Sequence, residues 1–138
     1  MNTAEIKETI FSGAAMLGVR LTLGAIFIVH AIPKLEPSFT QFLEMKMFPV
    51  WLHYPVAFGE LVPGILLIVG ILSRISGAVI AAIMLGIFIT IDQFVALTGD
   101  KGMEYHLILF AAALLIMVMG PGRISLAYML KRLPRWLH

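Results

Sequence analysis

The sequence contains no cysteine, which excludes a disulfide framework, a thiolate metal site and thiol redox chemistry by the chain itself. Charge is also scarce. Charged residues make up 13% of the 138 residues, whereas a soluble domain averages about a quarter. Because a short chain cannot bury a hydrophobic content of 60% in one core, these two figures argue strongly against a soluble monomer.

What the sequence has instead is four long apolar runs, at about 13–32, 56–72, 76–97 and 103–119. Each is close to the length that a helix needs to cross about 30 Å of hydrocarbon. The runs are continuous, which disfavours a β-barrel, and the first is too long for a cleavable signal peptide. We therefore predict a single all-α domain in the lipid bilayer, an integral membrane four-helix bundle.

Lysine and arginine predict the orientation. With four spans, both termini and the loop after the second run share one side, which carries six basic residues against three on the other. The six are Lys7, Arg74, Arg123, Lys131, Arg132 and Arg135, and the three are Lys34, Lys46 and Lys101. The positive-inside rule then predicts cytoplasmic termini. The basic tail, 123–138, is interpreted as an anchor on anionic lipid. The pI near 9.2 is then explained without binding to nucleic acid.

The first outer loop is predicted to carry a short interfacial helix that places Phe39, Phe42 and Leu43 on one side. A lid over a pocket is the alternative function for this loop. Helix contacts are expected at small residues, namely Gly59, Gly64 and Gly70 in the second run and Ala78, Ala82 and Gly86 in the third. These faces also suggest a homo- or hetero-oligomer.

Ionisable side chains inside the runs cost about 2.5–3.5 kcal/mol each on insertion scales, so each needs a partner or a purpose. They are Arg20, His30, Glu60, Asp92, Glu104 and His106. All except Arg20 are predicted to lie in the outer half of the membrane, together with Lys34. At 100° per residue, Arg20 and Lys34 share one stripe of the first helix with Gly24, Phe27 and Ala31.

Glu60 is predicted to be protonated or ion-paired, with Lys34 or Arg20 as the partner. Such a pair could have the purely structural role of fixing the helix register. Alternatively, it could belong to a pocket for a proton-exchanging ligand. Haem ligation by His30 and His106 is disfavoured because both lie near helix ends. A non-haem metal on Glu60, Glu104 and His106 is disfavoured because the Glu-x-x-His pattern is absent. We expect no haem or metal, and a quinone pocket fits better because it needs only a few donors, a titratable group and apolar walls.

Several short motifs together resemble the DoxX family over about residues 15–126. The first motif is residues 17–21 followed by Gly24, Phe27, His30 and residues 34–35. The second is residues 59–61 followed by Gly64, Gly70 and residues 73–74. The last two are residues 102–105 and residues 120–126. The family's charged positions correspond to Arg20, Lys34, Glu60 and Glu104. Ala31 and Ala127 depart from the pattern, where glycine and aspartate are usual.

The resemblance implies a small four-helix protein of the bacterial or archaeal cell membrane that is associated with redox systems. These include the small subunit of thiosulfate:quinone oxidoreductases, subunits once assigned to a terminal quinol oxidase, and detoxifying membrane oxidoreductase complexes. Partners would then be other membrane or redox subunits.

The charges and the resemblance together predict a membrane subunit of a quinone-linked oxidoreductase. Glu60 and His30 would exchange protons, Lys34 or Arg20 would orient the headgroup, and Asp92, Glu104 and His106 would complete the binding set. A structural or assembly subunit without catalysis is the main alternative. A small permease is a further one, which the one-sided distribution of charge disfavours.

Overall fold

The computed structural model describes residues 8–130 and Pro134, and its regular structure over those residues is helical. The α-helices are α1 (Ile10–Lys34), α2 (Ser38–Met45), α3 (His53–Val69), α4 (Ser73–Ile87), α5 (Glu104–Met119) and α6 (Leu126–Met129). A 3₁₀ turn, Val50–Leu52, leads into α3, and a π-helical turn, Phe88–Asp92, extends α4. The all-α prediction is confirmed.

Three helical segments are long and apolar enough to cross a membrane, namely Ile10–Lys34, Val50–Val69 and Ser73–Asp92. Helix α5 is equally apolar but has only 16 residues. The chain is therefore a membrane protein by helix length and composition, while the fourth span, the orientation and the interfacial placement of α2 stay predictions. Much of the basic charge behind the predicted orientation, Lys7, Lys131, Arg132 and Arg135, lies outside the described residues.

Helix α1 extends beyond its predicted range at both ends. Thr9 caps it by accepting a hydrogen bond from the Ser12 backbone N–H, and the Ser12 hydroxyl accepts one from Thr9 in return. Pro33, which follows the predicted range, lies inside the last turn of the helix. Lys34 therefore remains helical, on the same stripe as buried Arg20.

The third predicted span ends earlier than its apolar run. The run reaches residue 97, but the π-helical turn closes at Asp92 because Gln93 and Phe94 adopt left-handed backbone angles, with φ of 48° and 52°. A right-handed helix cannot continue through such residues. Asp92 thus becomes the last helical residue, which brings it beside the start of α5.

The bundle is held by two close helix crossings. At the crossing of α1 and α3, a Cβ on Gly24 would lie 2.6 Å from the carbonyl oxygen of Gly64, so Gly64 has the packing role that the sequence predicts. At the crossing of α4 and α5, a Cβ on Gly77 would lie 2.8 Å from the carbonyl oxygen of Ala113. Only glycine permits these approaches.

The small-residue stripe predicted for the third helix is wrong for contacts within this chain. Ala78, Ala82 and Gly86 are exposed, and nothing lies within 4 Å of a Cβ placed on Gly86. The buried face of α4 instead carries Gly77, Ala81 and Met84. A shift of one residue rotates a side chain by about 100° around the helix, so the stripe that begins at Ala78 points away from α5.

Candidate ligand-binding cavity

A cavity of about 400 Å³ lies where α1 ends and α3 and α5 begin. We call this region the Glu60 end of the bundle. Its wall is mostly aliphatic and aromatic, with side chains from α1 to α5. Two histidines, a lysine and a glutamate also line it: His30, Lys34, Glu60 and His106. The structure therefore brings together four of the seven residues that the sequence singles out.

Glu60 and Lys34 form an ion pair across the wall. The Lys34 Nζ donates to Glu60 Oε1 at 2.5 Å, which joins α1 to α3. The Glu60 side chain is 2% exposed, and within the described part of the chain its second oxygen, Oε2, is buried without a hydrogen-bond partner. Of the two predicted partners, Lys34 is thus the one observed. A buried carboxylate oxygen without a donor is costly, so this atom is suited to accept from a ligand.

The His106 ring is in hydrogen-bonding contact with the Asp92 carboxylate. Its Nδ1 lies 2.9 Å from Asp92 Oδ2 and 3.2 Å from Oδ1. Asp92 itself does not line the cavity, and it closes the π-helical turn that follows α4. Such turns are frequent at functional sites. Asp92 is therefore placed beside the His106 ring, and its role in ligand binding stays a prediction.

His30 is more exposed than Lys34, Glu60 and His106. Its Nδ1 lies 2.9 Å from the carbonyl oxygen of Ile26, one turn earlier in α1. Its ring also stacks on Tyr105, with 6.2 Å between the ring centroids. One ring nitrogen is thus bonded within its own helix, and the other is left for a ligand or water.

Arg20 does not line the cavity, which gives no support to its predicted role in ligand binding. The side chain is fully buried and donates to the carbonyl oxygens of Leu67, at 2.8 Å, and Ile124. Leu67 lies in the last turn of α3, where carbonyls lack partners within the helix. Arg20 therefore ties the end of α3 to the segment before α6, a region we call the Arg20 end.

Glu104 is also placed outside the cavity. It is the first residue of α5, it is exposed, and the cavity wall does not include it. The angle of about 200° between residues 104 and 106 on a helix accounts for this, since His106 faces the cavity.

Helix α2 covers the cavity with the three apolar residues that the sequence places on one side, Phe39, Phe42 and Leu43. This contact favours the lid alternative for the first loop.

Sequence reasoning missed Tyr105, which lines the cavity and touches His30. Its place in the motif at 102–105 and its position next to His106 were the available signals. Among residues 8–130, no three His, Asp or Glu side chains gather closely enough to hold a metal ion.

Comparison with known proteins adds a family match. The DoxX family model matches residues 15–93, a segment that contains His30, Lys34, Glu60 and Asp92 but stops before α5. The curated protein "Putative oxidoreductase CatD" of Bacillus subtilis (strain 168) is 30% identical over 93 residues. That alignment covers 66% of this chain and 69% of the relative. No solved structure matches the chain.

Proposed function

This chain belongs to the DoxX family, and from that premise we propose that it is a membrane subunit of a quinone-linked oxidoreductase complex. Its quinone site would be the cavity at the Glu60 end. The related CatD protein carries the word oxidoreductase in its name, which supports a redox setting for this chain. The cavity volume falls within the range of about 300–1,000 Å³ that is usual for small-molecule sites.

One observation carries the proposal, namely the buried Oε2 of Glu60, which has no hydrogen-bond partner among the described residues and belongs to a side chain on the cavity wall. A structural ion pair alone would not require a cavity beside the Glu60 side chain. A quinol hydroxyl is a donor of the right kind to satisfy it, and Lys34 keeps the carboxylate charge neutralised in an apolar environment.

The remaining wall suits the rest of a quinone. Phe27, Phe39 and Phe42 offer aromatic surface to a ring or an isoprenoid tail. Bound quinone would supply the two-electron, two-proton carrier chemistry. The chain itself would orient the headgroup between Lys34 and Glu60, hold a proton at Glu60 Oε2, and use α2 to exclude water.

We further propose four spans in the cell membrane with cytoplasmic termini, so that the Glu60 end lies in the outer half. Helix α5 rises about 24 Å over its 16 residues, so the loop before it and the turn after it would complete the crossing. Trp51 and Tyr54 are exposed at the start of α3, in keeping with an aromatic belt at the outer interface.

Binding of a short-tailed quinone and its quinol to the purified protein in lipid nanodiscs tests the proposal. Glu60→Gln should weaken binding by at least about tenfold, because an amide is a poorer acceptor than a carboxylate. Glu44→Gln is the matched control, since Glu44 is exposed on α2 and does not line the cavity. Equal affinities for the two variants, with intact folding, would overturn the proposal. In the complex that co-purifies with the chain, Glu60→Gln should also abolish quinone-dependent turnover.

A structural or assembly subunit is the second candidate, and the Lys34–Glu60 ion pair between α1 and α3 favours it. On this reading the pair only fixes the register of two helices. Glu60→Gln would then lower the yield of assembled complex while turnover per assembled complex stays normal. Measuring yield and specific turnover on the same preparations separates the two candidates.

A further inference from the structure

The pairing of His106 with Asp92 has a consequence for the proton on the imidazole ring. Both distances from Asp92 lead to the same ring nitrogen, Nδ1. An ionised carboxylate only accepts hydrogen bonds, so Nδ1 must be the donor. In a neutral imidazole that carries its proton on Nδ1, the other nitrogen, Nε2, is an acceptor.

This Nε2 is available to a ligand. His106 lines the cavity, its side chain is 29% exposed, and its Nε2 has no hydrogen-bond partner among residues 8–130. The carboxylate fixes the orientation and tautomer of the ring, as in carboxylate–histidine pairs generally. His30 differs because the partner of its Nδ1 is the neutral carbonyl of Ile26.

Two acceptors without partners among the described residues therefore belong to side chains of the cavity wall, on different helices. Glu60 Oε2 belongs to α3 and His106 Nε2 to α5, and α4 packs against both of these helices. We propose that Asp92 is a positioning residue that keeps the His106 proton on Nδ1, and that the cavity selects a headgroup with two hydroxyl donors, one for Glu60 and one for His106. Within the proposed function, on which this inference rests, the preferred ligand is the quinol form.

The tautomer can be tested without any ligand, by nitrogen NMR on protein labelled with ¹⁵N-histidine at about pH 8, with His106→Gln identifying the signal. We expect the spectrum of His106 to show a protonated Nδ1 and a bare Nε2. Asp92→Asn should move the proton to Nε2, because the asparagine amide can donate to Nδ1. Asp100→Asn, the same change at an exposed position, should leave the spectrum unchanged. An imidazolium or a proton on Nε2 in the unaltered protein would overturn the inference.

The choice of ligand is tested with three probes under anaerobic conditions: a short-tailed hydroquinone, its monomethyl ether and its dimethyl ether. Each blocked hydroxyl should cost about tenfold in affinity, roughly one well-formed hydrogen bond. In His106→Gln, the monomethyl ether should bind about as well as the parent compound. Equal binding of the parent and the dimethyl ether by the unaltered protein would refute selection by two donors. If none of the probes binds, the proposed function fails, while the tautomer result is decided by the NMR spectrum alone.

Discussion

The two ends of this bundle each bury a charge, and they use it differently. At the Arg20 end, the guanidinium donates to backbone carbonyls through its two terminal nitrogens, its Nε has no partner among the described residues, and a Cβ on Gly70 would collide with it, so the group is closely enclosed. At the Glu60 end, the carboxylate is paired with Lys34, yet Oε2 keeps no partner in the described part of the chain and the side chain borders a cavity. A charge inside an apolar helix thus marks a candidate site where its side chain also borders a cavity.

The largest effect should come from removing the charge at the Arg20 end. Arg20→Met keeps much of the volume but leaves the carbonyls of Leu67 and Ile124 without their donor. We expect a loss of about 3 kcal/mol or more in the free energy of unfolding, because two hydrogen bonds to a charged group disappear. Thermal unfolding in detergent measures this. Arg123→Met is the matched control, since Arg123 is exposed and its carboxylate partner, Glu8, is 4.0 Å away. Equal melting temperatures for the two variants would contradict the structural role of Arg20.

The next-largest effect concerns the contribution of the Lys34–Glu60 ion pair to the stability of the Glu60 end. Lys34→Met leaves the Glu60 carboxylate buried without a cation, which should cost about 2–3 kcal/mol. Adding Glu60→Gln should recover most of that loss, because removing both members of a buried pair is far less harmful than removing one. The free energies of unfolding of the two single variants and the double variant form the required cycle. Additive losses would mean that the pair contributes nothing as a pair.

A third, smaller effect concerns the helix crossing that lies between the two ends. Gly24→Ala would push a Cβ into the carbonyl of Gly64, so α1 and α3 must separate, at a cost of about 1–2 kcal/mol. Gly18→Ala, six residues earlier on the same helix, meets nothing within 4 Å. It should be neutral or slightly stabilising because alanine favours helix. Similar losses in the two variants would show that the close crossing is not a tight constraint.

The sequence predicts the difference between the Arg20 end and the Glu60 end only in part. The helical stripe of α1 is correct, because a period of 3.6 residues suffices to place Arg20, Gly24, Phe27 and Ala31 on the buried face. The Lys34–Glu60 pair could be named as one of two options, since buried opposite charges seek each other.

Other features depend on tertiary contacts that a one-dimensional pattern does not contain. The spacing of small residues points to Ala78, Ala82 and Gly86, but which face of α4 meets α5 is decided by packing. The early end of the helix at Asp92 depends on left-handed backbone angles at Gln93 and Phe94, which are not glycine. The partnership of Asp92 with His106 follows from that end, so sequence reasoning could only place the two residues in the same half of the membrane.

The smallest effect separates the two histidines of the cavity. The sequence favours His30 as a proton-exchanging residue, but its position is exposed and its Nδ1 is bonded to a neutral carbonyl. His30→Gln should therefore weaken quinol binding by only about two- to threefold, against about tenfold for His106→Gln. Glutamine keeps a polar group at each position, so the comparison isolates the imidazole nitrogen that faces the ligand. Titration of the same short-tailed hydroquinone into both variants measures the difference. If His30→Gln proves the more damaging, then stacking on Tyr105 places the His30 ring against the headgroup, and His30 rather than the Asp92–His106 pair is the acceptor opposite Glu60.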